Sequence, residues 1–197
     1  MRKLILILII LAAIAGVGYK VLHSSHQTSY NSPHKTAVPV TVTTPVHPPV
    51  QAPVVNECAN NTAAKDIVVS LSQEHIWACQ YSVAVFNSPV VTGYTGNPAD
   101  VTPTGTYYIY TKETNVHLKG TDGVTTWDDP VSYWMPFLFN KYGAYGFHDA
   151  TWRTPNQFGH ISTASPNASH GCVECPLATA KWLYNWAPVG TQININA

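Results

Sequence analysis

Charge is scarce in this chain. Of 197 residues only ten are Lys or Arg and ten are Asp or Glu. No acidic residue precedes Glu57, whereas four of the basic ones (Arg2, Lys3, Lys20, Lys35) do. From Glu57 onward six basic residues face ten acidic ones, a net of −4 with His neutral. Nucleic-acid binding needs a basic face, and none can be assembled here, so a nucleic-acid partner is excluded. Histidines at 23, 26, 34 and 47 are too dispersed for a metal site. Cysteine is sparse as well: Cys58, Cys79, Cys172 and Cys175.

One long apolar run is present. Arg2 and Lys3 precede Leu4 to Tyr19, 16 uncharged residues closed by Lys20. A membrane span usually takes about 17 to 25 residues, so the run is marginal as an anchor. Ala13-Ile14-Ala15 resembles a small-residue cleavage site, so a cleaved signal peptide fits equally. Positive charge at the start keeps the N-terminus inside and sends the rest out. Residues 1–22 are therefore read as a signal peptide or membrane anchor, and the protein as extracytoplasmic. Residues 23–56 hold Pro33, Pro39, Pro45, Pro48, Pro49 and Pro53 among Ser, Thr, Val and His. That composition predicts a disordered linker, which at ~3.1 Å per residue in polyproline II would reach roughly 100 Å. Such a tether would carry a domain from a membrane into a cell wall.

The region 57–197 reads as mainly β, with few short helices. Ile67–Leu71, Gln80–Phe86, Thr106–Tyr110, Val131–Met135 and Gln192–Ile195 carry the β-branched and aromatic residues of strands. A helix is predicted from Leu177 to Trp186. Pro176 suits its first turn, Pro188 and Gly190 close it, and Leu177, Ala180, Leu183 and Tyr184 share one face. Cys58 and Cys79, in an exported chain, form either a disulfide closing a loop of about 20 residues or two buried thiols.

The stretch Ser169-His170-Gly171-Cys172-Val173-Glu174-Cys175 carries the candidate chemistry. A thiol acts as a nucleophile through its thiolate, so a base must take its proton. His170 is two residues away, and His148 lies upstream in Gly146-Phe147-His148-Asp149-Ala150. Zinc held by His160, His170, Cys172 and Cys175 is the rival reading, but the spacing follows no established pattern.

Ser169-His170-Gly171-Cys172-Val173 resembles the signature of the L,D-transpeptidase catalytic domain, the YkuD-like family. Val91-Thr92-Gly93, Thr102-Pro103-Thr104-Gly105-Thr106-Tyr107, Tyr133-Trp134-Met135-Pro136-Phe137 and Tyr145 to Arg153 resemble further pieces of it in the family's order. The resemblance covers about residues 64–197. It implies a compact β-rich L,D-transpeptidase fold acting on peptidoglycan stem peptides in the cell wall, with no cofactor and no metal. Cys172 would be acylated by a donor tetrapeptide with loss of the terminal D-Ala, and an acceptor amine would then form a 3→3 cross-link. His148 would be the base. His170 would shape the nucleophile turn or help activate the thiol, and backbone N–H groups around Gly171 and Cys172 would bind the oxyanion. Ser169, Tyr133, Met135, Trp152 and Arg153 are the candidate substrate contacts. Tyr133, Trp134, Tyr145 and Trp152 are read as core rather than substrate wall, with the wall as the alternative, and Arg153 is either a carboxylate clamp or an exposed Arg beside Asp149.

Two positions stand apart. The family commonly has Asn or Arg where this chain has Glu174, and an anion facing the cleft would raise the Cys172 pKa and repel a substrate carboxylate. A wall-binding module that has lost activity is the alternative this residue suggests. Cys175 has redox spacing from Cys172, so it is either half of a reversible disulfide or a packing residue before the helix.

Overall fold

The computed structural model describes residues 56–121 and 126–197. The apolar run and nearly all of the Pro-rich stretch lie outside the described residues. Among the described residues no helix is long and apolar enough to cross a membrane.

Among the described residues nine strands form two sheets. They are β1 Asp66–Ser70, β2 His75–Gln80, β3 Val83–Pro89, β4 Gly105–Tyr108, β5 Glu113–Thr121, β6 Thr126–Asn140, β7 Gly143–Asp149, β8 Val173–Cys175 and β9 Gln192–Asn196. The first sheet has the order β3-β2-β1-β9-β4 and the second β5-β6-β7-β8. The parallel pairs are β1 with β9 and β7 with β8. Between the sheets lies one core, with Ile67, Val69, Ile76, Ile193 and Ile195 from the first and Met135, Phe137, Phe147, Val173 and Cys175 from the second. The helix α1, Leu177–Trp186, adds Ala180 and Leu183 to it. This is the mainly β architecture expected.

The helix has the predicted bounds because both ends are set by local chemistry. Pro176 stands at its N-cap, and Ala187 N–H caps the Leu183 carbonyl just before Pro188. The strands differ more. The segment 80–86, expected as one strand, is the end of β2 and the start of β3, joined at Tyr81 in the left-handed conformation (φ 52°). No Gly, Asn or Asp marks that turn at Tyr81, so the break was silent in the sequence. The strand foreseen at 131–135 is the middle of β6, a strand of 15 residues that contains Pro130 and Pro136. Proline argues against a central strand, and here the pairing shifts register between Pro136 and Leu138 to accommodate it.

Cys58 and Cys79 are joined in a disulfide, buried with Val68 and Trp77. It fastens the segment before β1 to the end of β2.

Candidate active site

The parallel pair β7–β8 builds the site. His148 is the register partner of Glu174, and Phe147 that of Val173. Side chains alternate along strands, so His148, Glu174 and Cys172 face one side while Phe147, Val173 and Cys175 face the core. Trp134, opposite His148 on β6, joins the first set. The open side is a cavity of about 220 Å³ lined by Cys172, His148, His170, Glu174, Trp134 and Tyr145 among others. Lys119, Trp127 and Asp129 of the β5–β6 hairpin form its far wall.

The turn that presents Cys172 is held from several directions. Gly171 has φ 103°, a conformation that side chains rarely adopt, and a Cβ there would lie 2.3 Å from the Tyr145 ring. Ser169 Oγ accepts the Gly171 N–H at 3.1 Å and donates to the Cys172 carbonyl at 2.5 Å. Thr102 Oγ1 donates to the Gly171 carbonyl and accepts the Gly93 N–H, both at 2.8 Å. Residues 91–94 clasp the turn through four backbone bonds, Val91 N–H to Glu174, Glu174 N–H to Val91, Ser169 N–H to Thr92 and Tyr94 N–H to Ser169. A Cβ on Gly93 would meet the Asp100 carbonyl at 2.0 Å, so glycine alone permits this approach.

His148 is buried, and its Nδ1 lies 3.0 Å from the Asp149 carbonyl. A carbonyl only accepts, so Nδ1 carries a proton, and in the neutral ring the lone pair is on Nε2. Asp149 is itself fixed, its Oδ1 accepting the backbone N–H groups of Ser132 and Tyr133 at 2.8 Å. The Trp134 and Trp152 rings flank the imidazole with centroids 6.0 and 5.9 Å away. His170 is stacked on Trp127, centroids 4.1 Å apart and planes within 13°.

The Cys172 thiol is half-buried and free. Its Sγ lies 3.8 Å from the Ala144 carbonyl. Burial pushes its pKa up to about 12, opposed by a backbone hydrogen bond from Gly146 and reinforced by the charge of Glu174. Glu174 is also buried, and its Oε2 is paired with Arg153 Nε. Arg153 Nη1 donates to the Asn167 carbonyl at 3.0 Å. Glu74, whose oxygens accept the Thr92 N–H and hydroxyl at 2.6 and 2.9 Å, is close enough to feel both charges, and burial raises its pKa to about 7.

The structure brings together Cys172, His148 and His170, with Gly171 shaping the turn. It does not bring the expected substrate contacts with them. Met135 is wholly buried in the core, and Tyr133 packs beside that core against Tyr184, because both alternate with Trp134 and so point away from the cavity. Ser169 is buried within its turn, and Arg153 is occupied by Glu174 and Asn167. Trp152 is exposed and borders His148 without lining the cavity. Cys175 is sealed in the core with its thiol 3.7 Å from the Val173 carbonyl, on the face opposite Cys172. That is the packing role, and neither a Cys172–Cys175 bridge nor the four-ligand zinc set can converge from opposite faces. Trp134 and Tyr145, read from the sequence as core rather than substrate wall, line the cavity, and the hairpin wall was missed beforehand. Pairing of Trp134 with His148 would have revealed the tryptophan, but cross-strand register is not written in one strand's sequence.

A two-sheet β domain with a thiol and two imidazoles around one cleft defines a class, and comparison gives it a family. The profile of the YkuD L,D-transpeptidase catalytic domain matches residues 64–195, and the chain belongs to that family. It is 28% identical over 102 residues to a probable L,D-transpeptidase 3 of Mycobacterium tuberculosis, covering 50% of this chain and 35% of that one. It is similar to the crystal structure of an Enterococcus faecium L,D-transpeptidase, with 30% identity, a TM-score of 0.58, and coverage of 67% of this chain and 49% of that one. The isolated catalytic domain of the E. faecium enzyme, solved by NMR, gives a TM-score of 0.56 at 30% identity, with 96% of that chain covered. The chain thus spans between a third and a half of the first two relatives.

Proposed function

We propose that the protein is a peptidoglycan L,D-transpeptidase, exported and held at the cell envelope, that forms 3→3 cross-links through an acyl-enzyme on Cys172. The observation carrying this reading is the shared cavity of Cys172 and a His148 whose Nδ1–H is tied to the Asp149 carbonyl.

Burial raises the thiol's pKa, so it rests protonated at neutral pH. Base assistance is therefore required at the moment of attack. His148 Nε2 takes the proton as Sγ bonds to the carbonyl carbon of the third stem residue. The oxyanion is stabilised by the Cys172 N–H, since the Gly171 N–H is already committed to Ser169 Oγ. The intermediate collapses with cleavage of the peptide bond, and His148 returns the proton to the departing D-Ala amine. An acceptor amine then attacks the thioester, loses its proton to His148, and releases the thiol. His170, stacked on Trp127, shapes the turn in this scheme.

Incubation with a disaccharide-tetrapeptide tests the proposal. The expected products are free D-Ala and a dimer whose fragmentation gives a 3→3 link; intact tetrapeptide would contradict it. The elevated thiol pKa and Glu174 beside it favour one second reading, a wall-binding module without activity. An E. faecium catalytic domain has been solved acylated by ertapenem. A mass gain of one carbapenem, absent in Cys172→Ala, excludes the inactive module.

A further inference from the structure

Three carboxylates, Asp100, Asp129 and Glu174, line the cavity against one ammonium, that of Lys119. Lys119 Nζ is 2.8 Å from Asp128 Oδ2, a carboxylate outside the lining, which also lies 2.6 Å from His117 Nδ1. Arg153 does not serve as a carboxylate receptor here: its Nε is paired with Glu174 and its Nη1 with the Asn167 carbonyl, and it does not line the cavity. The Arg153–Glu174 pair is thus a dipole with its negative end toward the reacting thiol. Glu174 is in register with His148 and two residues from Cys172 on the same face, so its carboxylate borders the space an attacking amine must cross. A cationic amine gains from that field. A carboxylate carried next to the amine meets like charge with no guanidinium among the described lining residues to offset it.

We infer that Glu174, with Asp129 on the hairpin wall, selects acceptor stems whose side-chain amine has no free carboxylate beside it, a lysine-type or carboxamide-bearing diamino acid, over stems that keep the carboxylate. This rests on the transpeptidase reading above and specifies its second substrate.

The test holds one donor tetrapeptide constant and offers two acceptor peptides together, identical except that the carbon bearing the side-chain amine carries a free carboxylate in one and a carboxamide in the other. Release of D-Ala from the donor reports acyl-enzyme formation and is independent of the acceptor, so its absence counts against the transpeptidase reading alone. With D-Ala released, the carboxamide acceptor is expected in cross-linked product by about tenfold or more over the other. Glu174→Gln should bring that ratio, read within the cross-linked product alone, toward one. Removing the charge of Glu174 leaves Arg153 buried without its partner, so Asp129→Asn, on a more exposed strand, serves as the second variant and should lower the ratio severalfold. Equal use of both acceptors, preference for the free carboxylate, or a ratio unchanged in whichever variants fold would overturn the inference.

Discussion

Cys172 and Cys175 are three positions apart, both free thiols, and their surroundings differ completely. Cys172 opens on a cavity with His148, His170 and Trp134, while Cys175 is enclosed by the core of the same sheet. The difference comes from strand geometry, since positions an odd number apart on an extended chain face opposite ways. Burial raises both thiols, Cys175 further, with Glu174 and Asp149 adding to it. What separates them chemically is access to a base, not the ease of ionisation.

The comparison can be broken by exchanging consequences. Cys172→Ala is expected to abolish D-Ala release and carbapenem labelling with the fold intact, whereas Cys175→Ala should retain activity within about twofold and lose about 1 kcal/mol of stability. If Cys175→Ala inactivates a folded protein, the two faces are not functionally distinct. His148→Gln follows in size, with kcat reduced about 10²- to 10⁴-fold and the melting temperature little changed.

Reduction of the Cys58–Cys79 disulfide, which does not line the cavity, should cost about 3 kcal/mol in denaturant unfolding without effect on the kinetics of surviving folded protein. Thr102→Val removes the bonds to Gly93 N–H and the Gly171 carbonyl, and a loss of about 1–3 kcal/mol together with slower acylation would sharpen the view that the cavity face depends on a braced turn.

A further prediction concerns pH. Glu74 has a folded pKa raised to about 7, above its unfolded value of 4.5. The folded state therefore holds the proton more tightly. The stabilisation is full below pH 4.5 and fades as pH rises through 7. Glu74→Gln should flatten that part of the stability profile, measured by thermal melts between pH 4 and 8.

Much of this arrangement was legible in the chain because local chemistry dictated it. Pro176, Pro188 and Gly190 bounded α1, the continuous run Ile67-Val68-Val69 marked β1, Ile193 and Ile195 alternating with polar residues marked β9, and the Ser169–Val173 motif located the nucleophile turn. What escaped was non-local. The substrate candidates Tyr133, Met135 and Arg153 were drawn from segments that resemble the family's motifs, when the cavity wall is assembled by register, Trp134 against His148 and Glu174 against His148. β5, β7 and β8 carry Gly, charged and short segments whose strand character comes from pairing, not propensity. The Arg153–Glu174 pair joins residues 21 positions apart and reverses the role expected of the arginine.

Intact-protein mass spectrometry after brief mixing with a disaccharide-tetrapeptide tests the central claim most directly. The account predicts a protein heavier by the disaccharide-tripeptide acyl group, mapped to the peptide containing Cys172, together with one free D-Ala per protein modified. Unchanged protein mass beside released D-Ala, or the same adduct formed by Cys172→Ala, would contradict it.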